Sequence, residues 1–328
     1  MRSLVLARIL GLLVAILPRL DAGETFTVVT YNLQNYLLDP LPSRAAKPVE
    51  RRDRVVEILG SLNPDVLVVQ EIGGAGALED LANRLAAADV RLPHREIAWG
   101  ADPAIAVAVL SRFPFESRRS HTNDMILAEG RMLRTSRGFV EVRFEAPDGL
   151  PVTLLAAHLK SKRETGTASE ASIREAEARV LRQHVDTLLG RDPQARIVVA
   201  GDLNDHQDSR ALRFLRSRGP KALFDLRPKE RGISDPADDS SPGDAATWTH
   251  HYVKEDSYGR FDYILVSPAL RPFWRPESSY VPAVPGWSQA SDHRPVVATF
   301  GTRSRRTPSP PRRRPPRRIT GRRRTRGS

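Results

Sequence analysis

The stretch Gly201-Asp202-Leu203-Asn204-Asp205 closes the apolar run Arg196-Ile197-Val198-Val199-Ala200. Aspartate and asparagine bind hard cations and orient phosphoryl oxygens, although Gly-Asp and Asn-Asp alone also make ordinary turns. The same placement recurs along the chain. Asn32 follows the β-rich run Phe26–Tyr31, Glu71 follows Val66–Val69, and His158 follows Val152–Ala157. Asp262 stands near the start of the run Phe261–Ser267, and Asp292 and His293 stand just before Pro295–Phe300. If these runs are strands of shared sheets, their ends converge on one rim, where ligands of α/β sheets tend to bind. Several carboxylates, two amides and two histidines describe a hard-metal site working on a phosphate ester.

The elements that must position these residues are legible from periodicity. Val55, Val56, Leu59 and Leu62 make a helical stripe over Val49–Leu62, and Ile173, Ala176, Val180, Leu181, Val185 and Leu188 make another over Ser169–Leu189. Shorter helices are expected at Ala77–Ala88 and Ser209–Ser217, and Gly190 suits a C-terminal cap. Pro147-Asp148-Gly149 predicts a hairpin between Phe139–Phe144 and Val152–Ala157. Gly73, Gly74 and Gly76 follow a strand, but no Gly-Lys-Ser/Thr completes a phosphate loop, so a plain loop is expected. Residues 227–246 are polar and rich in proline and glycine, which predicts a flexible loop. Strands and helices alternate without strict βαβ regularity, and hairpins are mixed in. That pattern predicts a mixed-sheet α/β sandwich rather than a barrel.

Composition limits the function classes. The chain has 328 residues and no cysteine, which excludes disulfides, thiolate catalysis and cysteine-ligated metal sites. Its net charge is +12, but residues 301–328 hold twelve arginines and no acid, leaving 39 basic and 39 acidic residues in 1–300. The body is neutral and the basic character belongs to the end. Residues 1–22 read as an export signal: Arg2 starts it, Leu4–Leu17 is mostly apolar, and Ala22 ends a cleavage-like segment. Ile9–Leu17 is too short to span a bilayer, so the mature chain is expected to lack a transmembrane span. The domain expectation is a signal at 1–22, one catalytic domain at 23–300, and a disordered Arg/Pro-rich tail at 301–328. Arginine runs attract phosphates without sequence preference, so the tail is expected to tether polyanions; adhesion to an anionic cell surface and a dispensable end are the other readings.

Thr30-Tyr31-Asn32, Gln70-Glu71, His158, Gly201-Asp202-Leu203-Asn204, Arg260-Phe261-Asp262-Tyr263 and Ser291-Asp292-His293 resemble, in this order, the motifs of the endonuclease/exonuclease/phosphatase superfamily. The resemblance covers about residues 25–300. It implies a deoxyribonuclease I-like four-layer sandwich of two packed mixed β-sheets flanked by helices. It also implies a Mg²⁺-dependent phosphodiesterase, with Mn²⁺ or Ca²⁺ as alternative ions. By residue, it places Glu71 as the principal metal ligand, with Asn32 and Asp292 near the metal. Asp202 and Asn204 would position the attacking water and the phosphate. His293 would be the catalytic histidine, Asp262 its orienting carboxylate, and His158 a second histidine at the phosphate. Whether Asp202 or His293 takes the water's proton stays open.

His158-Leu159-Lys160-Ser161-Lys162 resembles a segment of exported bacterial nucleases in the superfamily, which implies a nucleic-acid substrate and cleavage of low sequence specificity. Lys160, Lys162 and Arg131, with Arg134, become candidate phosphate contacts. A monomer is expected. A phosphatase or sphingomyelinase-like phospholipase of the same superfamily is the alternative, and a binding protein that has lost catalysis is the reading from another class. His94, His121, His184, His206, His250 and His251 match no motif, and surface or structural roles are expected for them. Trp248 is read either as part of a substrate loop or as core.

Overall fold

The computed structural model describes residues 24–164, 166, 168–232 and 246–303. The segment expected to be an export signal, most of the polar 227–246 loop and residues 304–328 of the basic end lie outside the described residues. In chain order the first elements are β1 (Thr25–Tyr36), α1 (Val49–Leu62), β2 (Val66–Ile72), α2 (Ala75–Ala87), β3 (His94–Ala98) and β4 (Ala106–Ser111). Next come β5 (Phe115–Arg118), β6 (Met125–Ala128), β7 (Arg131–Arg134), β8 (Val140–Ala146), β9 (Leu150–His158), α3 (Glu170–Arg191), β10 (Ile197–Asp202) and α4 (Arg210–Arg216). The last are β11 (Phe224–Asp225), β12 (Lys229–Gly232), β13 (His250–Tyr252), β14 (Ser257–Gly259), β15 (Asp262–Val266), β16 (Trp274–Ala283) and β17 (Val296–Gly301). Two mixed sheets result, ordered β12-β16-β17-β1-β2-β4-β3 and β11-β15-β10-β9-β8-β5, beside the small ribbons β6-β7 and β13-β14.

Alternation along the strands explains the four layers. Phe26, Val28, Val66 and Val68 from one sheet meet Leu154, Ala156, Val198 and Ala200 from the other in a core between the sheets. The intervening residues Val29, Tyr31, Leu67 and Val69 pack against α1 and α2. Leu155, Ala157, Ile197 and Val199 pack against α3 and α4. Strands buried on both faces read as continuous apolar runs, which is why the sequence shows Val-Leu-Val-Val rather than polar alternation. Each buried Val- or Leu-sized side chain contributes about 1.5–3 kcal/mol, so the three cores between these four layers dominate the fold's stability.

Three boundaries differ from expectation. Gly190 lies inside α3, which runs on to Arg191 and is capped at Asp192. Nothing stands within 4 Å of its missing side chain, and a single glycine costs a long helix only about 1 kcal/mol. The polar loop begins with a strand: β12 pairs parallel with β16 at the sheet edge. There Glu230 binds Arg294 at 2.6 Å and Arg231 stacks on Tyr280 at 3.9 Å. Edge strands tolerate such charged residues. At the other end, Gly301 closes β17 and Thr302 donates its backbone N–H to Glu24, so residues 301–303 belong to the fold. No described helix is long and apolar enough to cross a membrane.

Candidate active site

Strand parity aims the polar ends at one another. Asn32 continues the inward parity of Val28, His158 that of Leu154 and Ala156, and Asp202 that of Val198 and Ala200. Asp262 shares the face of Ile264 and Val266. All four are buried, and they meet where the inner faces of the two sheets reach the same end of the sandwich. Asp202 is their centre. Its Oδ2 accepts a hydrogen bond from Asn32 Nδ2 at 2.9 Å and lies 3.5 Å from His158 Nε2 and 3.8 Å from His293 Nε2. Its Oδ1 accepts from the backbone N–H of Asn204 at 2.9 Å.

Backbone exceptions complete the rim. Strict alternation from Leu67 and Val69 would aim Glu71 at the helices, but Glu71 adopts φ 63° and the β2–β4 register shifts there. Its Oε2 accepts from the backbone N–H of Asn35 at 2.8 Å and its Oε1 faces Asn32 Nδ2 at 3.5 Å. Asn204 also takes a positive φ of 52°, and its Nδ2 donates to the Leu159 carbonyl at 3.1 Å. Gly201 has φ 146°, and a Cβ there would stand 1.8 Å from the Ala157 carbonyl oxygen. The two strands that carry His158 and Asp202 approach this closely because position 201 has no side chain.

His293 bridges the sheets. Its Nδ1 meets Asp262 Oδ2 at 2.8 Å. The Ser291 hydroxyl accepts from His293 N–H at 3.1 Å and donates to the Asn32 carbonyl at 2.7 Å. The Thr249 hydroxyl oxygen accepts from the Phe261 and Asp262 backbone N–H groups. Burial opposes a charge on His293, but Asp262 and Asp202 outweigh it and raise its pKa to about 10. Burial raises the Asp202 carboxyl against the pull of that imidazolium. Burial pushes His158 well below the ordinary imidazole range, helped by the field of Arg137, so His158 is neutral at pH 7.

Asp292 sits at the rim, half-exposed, with Oδ2 3.9 Å from His250 Nε2. Among the described residues, two side chains at the site carried no motif. The His250 ring lies 4.5 Å from the His293 ring, tilted by 50° to it, and burial followed by the His293 charge lowers its pKa. Lys47 donates to the Ala290 carbonyl at 2.6 Å; burial and Arg51 lower its pKa to about 7 against the pull of Asp292 and Glu71. His250 was legible only as half of a His-His pair, and Lys47 had no signal beyond lying in a Pro-rich loop. Trp248 is packed rather than offered to a ligand, with Arg294 over it at 3.4 Å and Trp287 at 5.4 Å.

The candidate phosphate contacts divide. Lys162 lies over the Phe261 ring at 4.7 Å in a groove of about 880 Å³ that Asn204 and Asp292 also line. Lys160 turns its ammonium to the carbonyls of Ser161 and Arg163, while its stem lines a second groove of about 560 Å³ with Arg44, Arg134, Arg137 and Arg163. Arg131 is exposed at the end of the β6–β7 hairpin and lines neither of these grooves. Asp205, at the end of the opening pentapeptide, pairs with Arg174 at 2.9 Å and so serves as a packing contact.

Two sheets with helices outside and a buried Asp–Asp–His cluster at one sheet end define a deoxyribonuclease I-like hydrolase of phosphoesters. The model of the Endonuclease/Exonuclease/phosphatase family matches residues 29–293. The chain belongs to that family and is one of its metal-dependent phosphoester hydrolases. Among solved structures it is similar to TDP2 from Caenorhabditis elegans, with 20% identity over 86% of this chain and 76% of that one, at a TM-score of 0.54. The human Nocturnin catalytic domain matches at 17% identity over 84% and 94% of the chains, with a TM-score of 0.56. A family protein from Beutenbergia cavernae matches at 22% identity over 84% and 71%, with a TM-score of 0.55. No curated protein matches.

Proposed function

We propose that the protein is an exported Mg²⁺-dependent phosphodiesterase that cleaves nucleic acid with little sequence preference. The observation that carries the reading is the convergence of Asn32, His158 and His293 on one carboxylate, Asp202, beside the Asp262–His293 pair. A hard divalent ion suits the oxygen donors Asn32, Glu71 and Asp292. The surplus of carboxylates over the single charged imidazole, with Asp262 Oδ1 left without a partner in the interior, favours a dication at the rim. When bound, the ion supplies neutralisation of the charge that builds on the phosphoryl oxygens.

The chain's own residues do the rest. Asp202 and Asn204 hold the attacking water and the phosphate. Asp262 fixes the ring of His293 and stabilises its charged form, leaving Nε2 aimed at the reacting centre. His158, neutral, faces Asp202 through Nε2 and offers it no second charge. Support for a nucleic-acid substrate comes from the two flanking grooves. One is lined by arginines, which suit backbone phosphates. The other has Tyr252, Tyr258 and Phe261 beside Lys162, where bases can stack. The segment His158–Lys162, similar to that of exported bacterial nucleases, points the same way, and the arginine-rich end adds a nonspecific tether.

The test is a substrate panel with Mg²⁺ or EDTA: single- and double-stranded DNA, RNA, abasic DNA, sphingomyelin and an inositol phosphate. Mg²⁺-dependent cleavage of DNA or RNA is expected. Intact nucleic acids alongside hydrolysed sphingomyelin or phosphomonoester would replace this reading with a phospholipase or phosphatase.

A further inference from the structure

On the outer face of the second sheet, away from the catalytic cluster, His121, Asp124 and His184 come together. A ring nitrogen of each histidine and an oxygen of Asp124 all lie within 4.8 Å of one another. Glu141 completes the group. Its neighbours Val140 and Val142 point into the core between the sheets, so Glu141 faces the helical side, opposite to the face that carries Asp202. His121 bridges in antiparallel fashion to Phe139 just before β8, Asp124 precedes β6, and His184 rides on α3. Three separate segments thus deliver the four side chains to one spot.

We propose that this cluster is a second metal site, built for an imidazole-preferring transition ion of the Zn²⁺ class, which fastens the 119–124 loop to α3 and β8. His184 Nε2 meets Asp124 Oδ2 at 2.6 Å, and His121 Nε2 meets Glu141 Oε2 at 2.9 Å. All four side chains are only 12–22% exposed. The two imidazoles stack with centroids 3.6 Å apart. If both were protonated, each would pair with its own carboxylate, but two like charges would lie face to face across the stacked rings, which Coulomb's law opposes. If both are neutral, two carboxylates leave the cluster at −2, a charge that one dication balances. Nitrogen donors select zinc-like ions over Mg²⁺. The Glu141–His121 contact matches the carboxylate that orients a ligating imidazole through its other nitrogen. Tetrahedral zinc with bonds near 2.0–2.1 Å needs ligand atoms about 3.3 Å apart, so atoms that lie within 4.8 Å of one another have to close by at most about 1.5 Å.

The full protein, stripped with EDTA and returned to excess Mg²⁺, is titrated with ZnCl₂ by calorimetry and followed by thermal melting. The wild type is expected to bind one zinc and to melt higher with it. His121→Gln and His184→Gln should lose that zinc and the rise in Tm while keeping Mg²⁺-dependent phosphoester hydrolysis. Glu141→Gln should bind it about 10–100-fold more weakly. Glu71→Gln, changed at the other site, should retain it. A wild type that binds no zinc in excess Mg²⁺ overturns the proposal without recourse to any variant. So does a zinc that survives His184→Gln and disappears in Glu71→Gln. Should the histidine variants fail to fold, Co²⁺ on the wild type decides: an intense tetrahedral ligand-field band supports the site, and its absence rejects it.

Discussion

At the scale of single residues, His293 serves two purposes that one substitution can separate. It is the charged partner of buried Asp262 and the imidazole nearest Asp202 besides His158. His293→Ala removes both functions and leaves Asp262 buried without compensation, a loss of about 3–5 kcal/mol. His293→Asn keeps an amide N–H near the place of Nδ1, so it should hold the fold while lowering kcat by about 10²–10⁴-fold. Circular dichroism and steady-state kinetics on both variants check this. Near-wild-type turnover in the asparagine variant would remove His293 from the reaction. The single-residue scale is also where the sequence was most ambiguous. In the sequence Asp202 reads as a turn residue or a catalytic one, and its contacts with Asn32, His158 and His293 are more than a turn alone requires. His250 could not be distinguished from a surface histidine, because its importance comes from packing on a residue 43 positions later.

At the scale of elements, period-2 reasoning carried far. Val66–Val69, Val152–Ala157 and Arg196–Ala200 are all within or beside real strands, and the parity of their ends explains why Asn32, His158 and Asp202 face each other. What periodicity could not supply were its exceptions. Asn204 is of a residue type that tolerates the left-handed region, but the same turn at Glu71 has no sequence code, since glutamate avoids that region and tertiary contacts must impose it. The close approach at Gly201 is of this kind too. Gly201→Ala would drive its Cβ into the Ala157 carbonyl and should cost more than about 4 kcal/mol, read as loss of soluble protein or a collapsed urea midpoint. A mild midpoint shift would mean that β9 and β10 can part without penalty.

Helix docking on the other face gives a pH-dependent counterpart. Asp80 on α2 accepts from Tyr36 Oη at 2.8 Å, Arg52 Nη1 at 3.0 Å and Arg84 Nε at 3.0 Å. Burial alone would raise its pKa, but these hydrogen bonds outweigh it and lower the pKa. A lowered carboxyl pKa stabilises above the unfolded value of about 3.9, and the contribution is lost as pH falls through the lower folded value. Asp80→Asn should therefore destabilise by up to about 1 kcal/mol at pH 7 for a solvent-screened group, and the gap to wild type should narrow at an acid pH below the unfolded value. Urea unfolding at both pH values measures it; an equal gap at both would assign the loss to packing rather than to charge.

At the scale of the whole molecule, charge is divided unevenly between two parts of the chain. Residues 1–300 are formally neutral, although the proposed action on nucleic acid would require the body to approach a polyanion. The arginines of one groove are partly spent at home: Arg44 and Arg137 both pair with Asp102, and Arg134 donates to the Gly100 carbonyl. A site so neutralised can position a phosphate but gains little long-range attraction. Residues 304–328 carry eleven arginines and no acid, and cations that neutralise phosphates release counterions, so each adds about 0.9 to the slope of log affinity against log salt on duplex DNA. Ending the chain at Arg303, which keeps β17 and the Thr302 contact to Glu24 intact, should weaken DNA binding most at low salt and flatten that slope. Hydrolysis of a small phosphodiester, which on the proposed reading calls only on Asp202 and its neighbours, should be unchanged. Filter binding across a salt series, paired with the small-substrate assay, separates the two parts. An unchanged slope would move the attraction back to the grooves, and a matching loss on the small substrate would show that the tail acts on the fold instead of on the polymer.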